Sequence, residues 1–355
     1  MRIVILLCAI FYIATASEFA PNSACKECHP LIYDEYMSSQ HSKASIFKDE
    51  IHAAVWSKHP KNIKLKAYGC AHCHTPAASN LKELTAPNNG VVPDVNNTTH
   101  TDGISCAYCH RIKSISLGAK RNKNILSADP KSFFGDSNIS KTTPFHTVIV
   151  RDVNSSSSDI CMGCHSHKKN KFKFNVCITT MPKSSDTKSC VSCHMPKQSR
   201  ESNQTARFHG FAGINSYAPM LEEHVELGFE KIKDGFSIVI TNKTPHALSL
   251  HPLRVMQLRV SVDNKALKSV NFLKLIGSDG KPTPPWLAKE VVLNSVIQAD
   301  ESRVVEFTYD LSSKSKIDVV LGYYLVNPKA LKGLGLEQSE NVKRFRIFKE
   351  QSFKL

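Results

Sequence analysis

The sequence predicts a chain of two unlike parts. A mainly α-helical and irregular region, 18–215, follows a short leader, 1–17, and precedes a small β-sandwich, 225–355. Three observations lead there. A five-residue pattern, Cys-x-x-Cys-His, recurs five times between Cys25 and His194. Long apolar periodic runs are scarce from 21 to about 213, where that pattern sits. Beyond about 225 the pattern stops, and short alternating apolar segments separated by Gly, Pro, Asn and Asp take over.

The five copies are Cys25-Lys26-Glu27-Cys28-His29, Cys70-Ala71-His72-Cys73-His74, Cys106-Ala107-Tyr108-Cys109-His110, Cys161-Met162-Gly163-Cys164-His165 and Cys190-Val191-Ser192-Cys193-His194. Each reads as the attachment signature of a c-type haem. The two thiols suit the two vinyl groups of one porphyrin, and the adjacent histidine suits the proximal position on its iron. Five haems c, held by ten cysteines and ligated by His29, His74, His110, His165 and His194, are therefore expected. Zinc sites also use C-x-x-C, but usually two pairs per metal and without a histidine fixed after each second cysteine. A disulfide framework would not demand that histidine, and a thioredoxin-type redox pair would not recur five times.

The chain has 355 residues, which suits two domains. It opens with Met1-Arg2, an apolar run from Ile3 to Ala14, and the small residues Thr15, Ala16 and Ser17. This reads as a secretory signal peptide cut near Ala16 or Ser17, too short to span a bilayer comfortably. A periplasmic or otherwise exported protein is expected, the side of the membrane on which covalent haem attachment is made. Of 12 cysteines, ten belong to the motifs, Cys8 leaves with the leader and Cys177 is left without a partner. The formal charge of +15 overstates the basicity, because each haem adds two propionates. No nucleic-acid motif accompanies the charge, so nucleic acid is not expected as a partner.

Short helices carrying the motifs, joined by irregular loops, are expected in the first part. The clearest helix spans 42–57, with Ile46, Phe47, Ile51, Val55 and Trp56 at helical spacing and Pro60 beyond its end. Residues 154–158 form a polar linker, and Asp159 suits the cap of the turn bearing Cys161. Lys168, Lys169, Lys171 and Lys173 make a basic run, read as a solvated loop or as a dock for an acidic partner. In the second part, strands are expected at 236–240, 255–262, 270–276, 291–297, 304–309, 317–326 and 344–348. Turns are expected at Asn242-Lys243-Thr244-Pro245 and Ser278-Asp279-Gly280. That number of short strands suggests a sandwich.

Sixteen histidines are present. Five belong to the motifs, and His224, His246 and His251 lie at or beyond the domain boundary. The remaining eight are His41, His52, His59, His72, His100, His146, His167 and His209. His72 is pinned inside its own motif, and His167 is too close to His165 to reach the far face of the same haem. Six candidates remain for five distal positions, which favours mostly bis-histidine irons. His41, His100, His146 and His209 are the expected distal ligands, with one of His52 and His59. His52 is preferred because His59 abuts Pro60 at a fraying end. His100 is expected to ligate a haem other than that of Cys106, since it lies six residues before Cys106, too few to round a porphyrin edge.

The stretch Asp34-Glu35-Tyr36-Met37-Ser38-Ser39-Gln40-His41 resembles the tyrosine-to-Ser-x-His segment of the cytochrome c-554/c-prime family of multihaem cytochromes. So do Cys70-Ala71-His72-Cys73-His74-Thr75-Pro76, His100-Thr101-Asp102-Gly103-Ile104-Ser105-Cys106, Cys190 through Lys197, and His209-Gly210-Phe211-Ala212-Gly213. The resemblance runs from about Ala24 to Gly213. It implies that the matched non-motif histidines, His41, His100 and His209, are distal ligands. The family's name-giving member carries four haems, whereas this chain has five motifs, so haem-to-haem geometry does not carry over. The second part resembles domains appended to related multihaem proteins, through 242–254.

These readings point to an electron carrier between respiratory partners, a quinol-oxidising cytochrome on one side and a terminal reductase on the other, with peripheral membrane contact compatible. The alternative is a multihaem oxidoreductase acting on a small nitrogen or sulfur oxyanion, which needs one haem with an open axial position. In a third reading, compatible with both, the β part is a docking module and the haem part its electron supply.

Overall fold

The computed structural model describes residues 18–135, 140–151, 159–179, 189–199, 205–213 and 219–355. The expected leader, 1–17, and the expected linker, 154–158, lie outside them. Among the described residues no helix is long and apolar enough to cross a membrane.

Short helices hold the motifs because each motif is itself about one helical turn. Ser105 caps the helix Cys106–His110 by accepting the Tyr108 N–H. Ser189 and Ser192 form a reciprocal capping box at the start of Cys190–His194. The second motif lies in the helix Ala71–His74, the fourth in the 3-10 turn Asp159–Gly163, and the first spans the end of the helix Asn22–Lys26. The helix expected over 42–57 starts later, at Glu50, and runs to Lys58. Asp49 sets this start, its carboxylate accepting the N–H groups of Ile51 and His52. Upstream, the buried Ser39 and Ser42 hydroxyls bond to nearby backbone carbonyls and fold the chain into turns instead.

Two sheets dominate the C-terminal part. One has the order Val225–Ile232, Gly235–Asn242, Ser302–Thr308; all its pairings are antiparallel. The other runs Lys265–Ala266, Val255–Val262, Lys316–Tyr324, Arg346–Lys354, with Val270–Phe272 also on Val255–Val262. Alternation aims Phe236, Ile238 and Ile240 of the first sheet and Met256, Leu258, Ile317, Val319 and Leu321 of the second into one buried cluster. A third, three-stranded sheet pairs Lys274–Ser278 with Lys281–Pro282 and Glu290–Asn294. Its hairpin turns at Asp279 and Gly280, both at positive φ, as a two-residue turn requires. The expected strand 270–276 is split in two, and Val225–Ile232 is a strand that alternation alone did not single out.

The shared cluster of the β part numbers eighteen buried side chains, whereas two clusters around the motifs number five each. Polar ties also join the motifs. Asn22 donates to the Tyr36 hydroxyl (3.0 Å) and the Asp102 carbonyl (3.2 Å) and accepts the Cys106 N–H (2.9 Å), joining the first and third motifs. Gly103, at φ +68°, lets its segment press on the backbone of His41, where a Cβ would come within 2.4 Å of the His41 carbonyl oxygen.

The two parts touch at several places. Ile51 and Ala54 pack on Val326, Leu336 and Val342. The His59 ring meets Trp286 at 4.9 Å. The basic run enters a hairpin, Lys168–Lys169 with Asn175–Cys177, and the Asn170 side chain donates to the Pro285 and Ala288 carbonyls of the β part. A polar residue within the run thus fastens it to this chain.

Candidate haem centres

Each motif places its two thiols and its imidazole on one side of a single turn. The histidine N–H closes onto the carbonyl of the first cysteine at 2.9 Å in the first motif, 3.0 Å in the second and 2.8 Å in the fourth. The motifs also abut one another. Thiol meets thiol at Cys25 and Cys106, at Cys73 and Cys164, and at Cys161 and Cys190. The first motif therefore neighbours the third, and the fourth neighbours both the second and the fifth.

Four motif histidines face a second imidazole. The ring centroids are 6.3 Å apart for His29 and His146, 6.0 Å for His41 and His165, 6.2 Å for His110 and His209, and 6.2 Å for His194 and His246. Two metal–imidazole bonds of about 2.0–2.1 Å, plus about 1.1 Å from each nitrogen to its ring centre, total roughly 6.2 Å. The rings thus leave room for one iron and are too far apart to touch. Among the described residues no three metal-binding side chains converge as around a bare ion; the imidazoles come in opposed twos, as a porphyrin with four equatorial nitrogens requires.

The hydrogen bonds around these rings suit the same role. Nδ1–H donates to a backbone carbonyl from His74 (Ala44, 3.0 Å), His110 (Phe134, 3.0 Å), His194 (Ala212, 2.6 Å), His209 (Arg207, 2.8 Å) and His246 (Ala247, 3.0 Å). That tautomer leaves the Nε2 lone pair for iron. Among the described residues, Nδ1 of His146 is buried without a hydrogen-bond partner. Burial pushes His110 and His165 down to about 4 and His41 and His74 to about 3, so these rings are neutral, the form that binds metal.

Two of the expected ligands do not stand opposite a motif imidazole. His100 lies in the short helix Thr98–Thr101 and is 3% exposed. Its Nδ1 accepts the Asp94 N–H at 3.0 Å, so Nε2 carries the proton and donates to Asn80 Oδ1 at 2.7 Å. No lone pair is left for a metal. His52 sits beside His74, with ring centres 4.0 Å apart, rather than opposite it across an iron. It gives Nδ1–H to the same Ala44 carbonyl as His74, and the Tyr68 hydroxyl donates to its Nε2 at 3.2 Å. Among the described residues His52 is the only ring facing His74, so the second motif lacks an opposed imidazole. His59 stacks on Trp56 and meets Trp286 edge-on, and His167 uses Nε2 on the Gly118 carbonyl.

Sequence reasoning set His246 aside because it lies beyond the domain boundary, yet the structure brings it to His194. Its only sequence signal is its place directly after the turn Asn242–Pro245, in the connection between two strands. A row of rings also runs between motifs. Phe133 stacks on His146 (5.0 Å) and His110 (6.2 Å), and Phe211 meets His209 (6.5 Å) and His41 (4.0 Å) edge-on.

Residues 24–111 match the family model described as cytochrome c554 and c-prime. No curated protein matches the chain. Among solved structures, a penta-heme cytochrome c552 from Thermochromatium tepidum is similar in fold, with a TM-score of 0.74 at 19% identity over 95% of this chain and 99% of that one. Five attachment motifs, imidazoles spaced for iron and these likenesses lead to one conclusion: the chain is a multihaem c-type cytochrome resembling the cytochrome c554 and c-prime family, with five covalently attached haems c.

Proposed function

We propose that this chain is an exported electron carrier in which four of the five irons are each held between two imidazoles. The observation that carries the reading is the set of opposed pairs His29–His146, His41–His165, His110–His209 and His194–His246, all 6.0–6.3 Å apart. The haems supply one-electron chemistry at iron. In the His110–His209 and His194–His246 pairs backbone carbonyls hold both imidazoles through Nδ1–H, so little there needs to move when the charge on iron changes. Thiol contacts and the ring row support an order of first, third, fourth and fifth motif, with the second joined at the fourth. Partners would be a quinol-oxidising cytochrome and a terminal reductase, met in the periplasm. Electron paramagnetic resonance of the oxidised protein tests this: four low-spin irons are expected, and two or more high-spin irons would overturn it.

A second reading is favoured by one observation. The iron of the second motif has His74 on one side and no imidazole opposite among the described residues. Lys168, whose ammonium donates to the Cys164 carbonyl, puts a positive charge beside this motif, which suits an anion near this haem. An oxidoreductase acting there on a small nitrogen or sulfur oxyanion is the corresponding function. Adding nitrite or sulfite to the oxidised protein should perturb one haem spectrum, and the same anions should reoxidise the reduced protein. Absence of both effects would leave electron transfer alone.

A further inference from the structure

The loop that carries His246 is built more rigidly than a loop between strands requires. Asn242, fully buried, donates through Nδ2 to the His246 carbonyl at 3.0 Å and to the Gln298 carbonyl at 2.7 Å. The Asn242 Oδ1 accepts the Thr244 N–H at 2.9 Å, and the Thr244 hydroxyl lies 2.6 Å from the His246 carbonyl. On the far side, Leu248 N–H donates to Ile297 O at 3.0 Å. The backbone of His246 is thereby pinned to the core of the β part from both sides.

The ring is set as firmly. Its Nδ1–H is taken by the Ala247 carbonyl, as that of His194 is by Ala212, so each ring turns an Nε2 lone pair outward. The two rings are 6.2 Å apart and only 12° from parallel, the smallest angle among the four opposed pairs. Asn22 and Gly103 tie the motif part within itself, whereas this pair joins the last motif to the β part.

We propose that His246 is the sixth ligand of the iron carried by His194, so that the β part completes the coordination of the fifth haem. This rests on the reading of opposed imidazoles as axial pairs. One ligand comes from the motif part and the other from a strand-connecting loop, so the spin state of this single iron reports whether the two parts are docked. Moving the β part away would open that iron while leaving the other three pairs intact.

The test uses the full-length, haem-loaded protein. In His246→Gly, mass spectrometry should still show five haems, and one of the four low-spin ferric signals should become high-spin. Added imidazole should restore it. In His246→Met, a methionine-to-iron charge-transfer band in the far red should appear instead. Imidazole rescue of the first variant or the band in the second supports the proposal, since neither arises from misfolding. If neither appears, His246 does not ligate iron. His146→Gly serves as the control: conversion of one haem there with no effect at His246 rejects only this proposal. No conversion in either variant rejects the pairing itself.

Discussion

Replacing His52 with Phe separates two roles that an imidazole near His74 can play. His52 and His74 each donate Nδ1–H to the Ala44 carbonyl at 3.0 Å, and Tyr68, 1% exposed, donates its hydroxyl to His52. His52→Phe keeps a ring of similar size in the same place but removes both nitrogens. A buried hydroxyl left without an acceptor costs about 1–3 kcal/mol. That is the expected loss of stability, and adding Tyr68→Phe should recover most of it because the orphaned group is gone too. At the second haem, the Ala44 carbonyl is no longer shared. If the His74 bond gains about 0.5 kcal/mol in the ferric state, the potential falls by roughly 20 mV, at 59 mV per tenfold for one electron. Urea unfolding followed by circular dichroism reads the first effect, and a redox titration reads the second. Electron paramagnetic resonance should show no haem changing spin. A new high-spin signal amounting to one haem would refute the reasoning, since it would make His52 an axial ligand.

Two further outcomes are expected. His100→Ala should leave every haem spectrum unchanged while lowering stability by about 1–3 kcal/mol, because the Asp94 N–H and the Asn80 carbonyl oxygen lose their partner; loss of a low-spin signal would restore His100 as a ligand. Phe236→Ala empties a fully buried site between Phe229 and Phe307 and should cost about 3–5 kcal/mol in unfolding of the β part; a loss below about 1 kcal/mol would mean that the shared core is not packed as described.

The motifs were legible because covalent chemistry dictates their spacing: two thiols and a histidine must meet one porphyrin whatever the rest of the fold does. The strand Val255–Val262 was legible for a different reason, since a half-buried strand writes its burial into the alternation of its residues. The surroundings of His100 were not legible, because an imidazole's hydrogen-bond partners depend on what the fold brings near, and no pattern marks Asp94 and Asn80 as those partners. The start of the helix at Glu50 was misplaced because Ser39, Ser42 and Asp49 compete for backbone groups upstream. His246 was missed because a loop's sequence shows that the chain turns there, but not what the turn faces once two parts dock.

The contacts between thiols carry a consequence for how the protein is made. Cys25 meets Cys106, Cys73 meets Cys164 and Cys161 meets Cys190, pairs drawn from distant points of the chain. Thiols brought that close are reactive toward each other and, at half burial, poorly open to a bulky porphyrin. The order of events follows: thioether bonds form on an open chain, and folding comes afterwards. In a molecule that closed early, a two-electron oxidant would join these cysteines as disulfides between motifs. Maturation on this reasoning keeps the chain extended and reduced until the last motif, at Cys190 and Cys193, has received its haem.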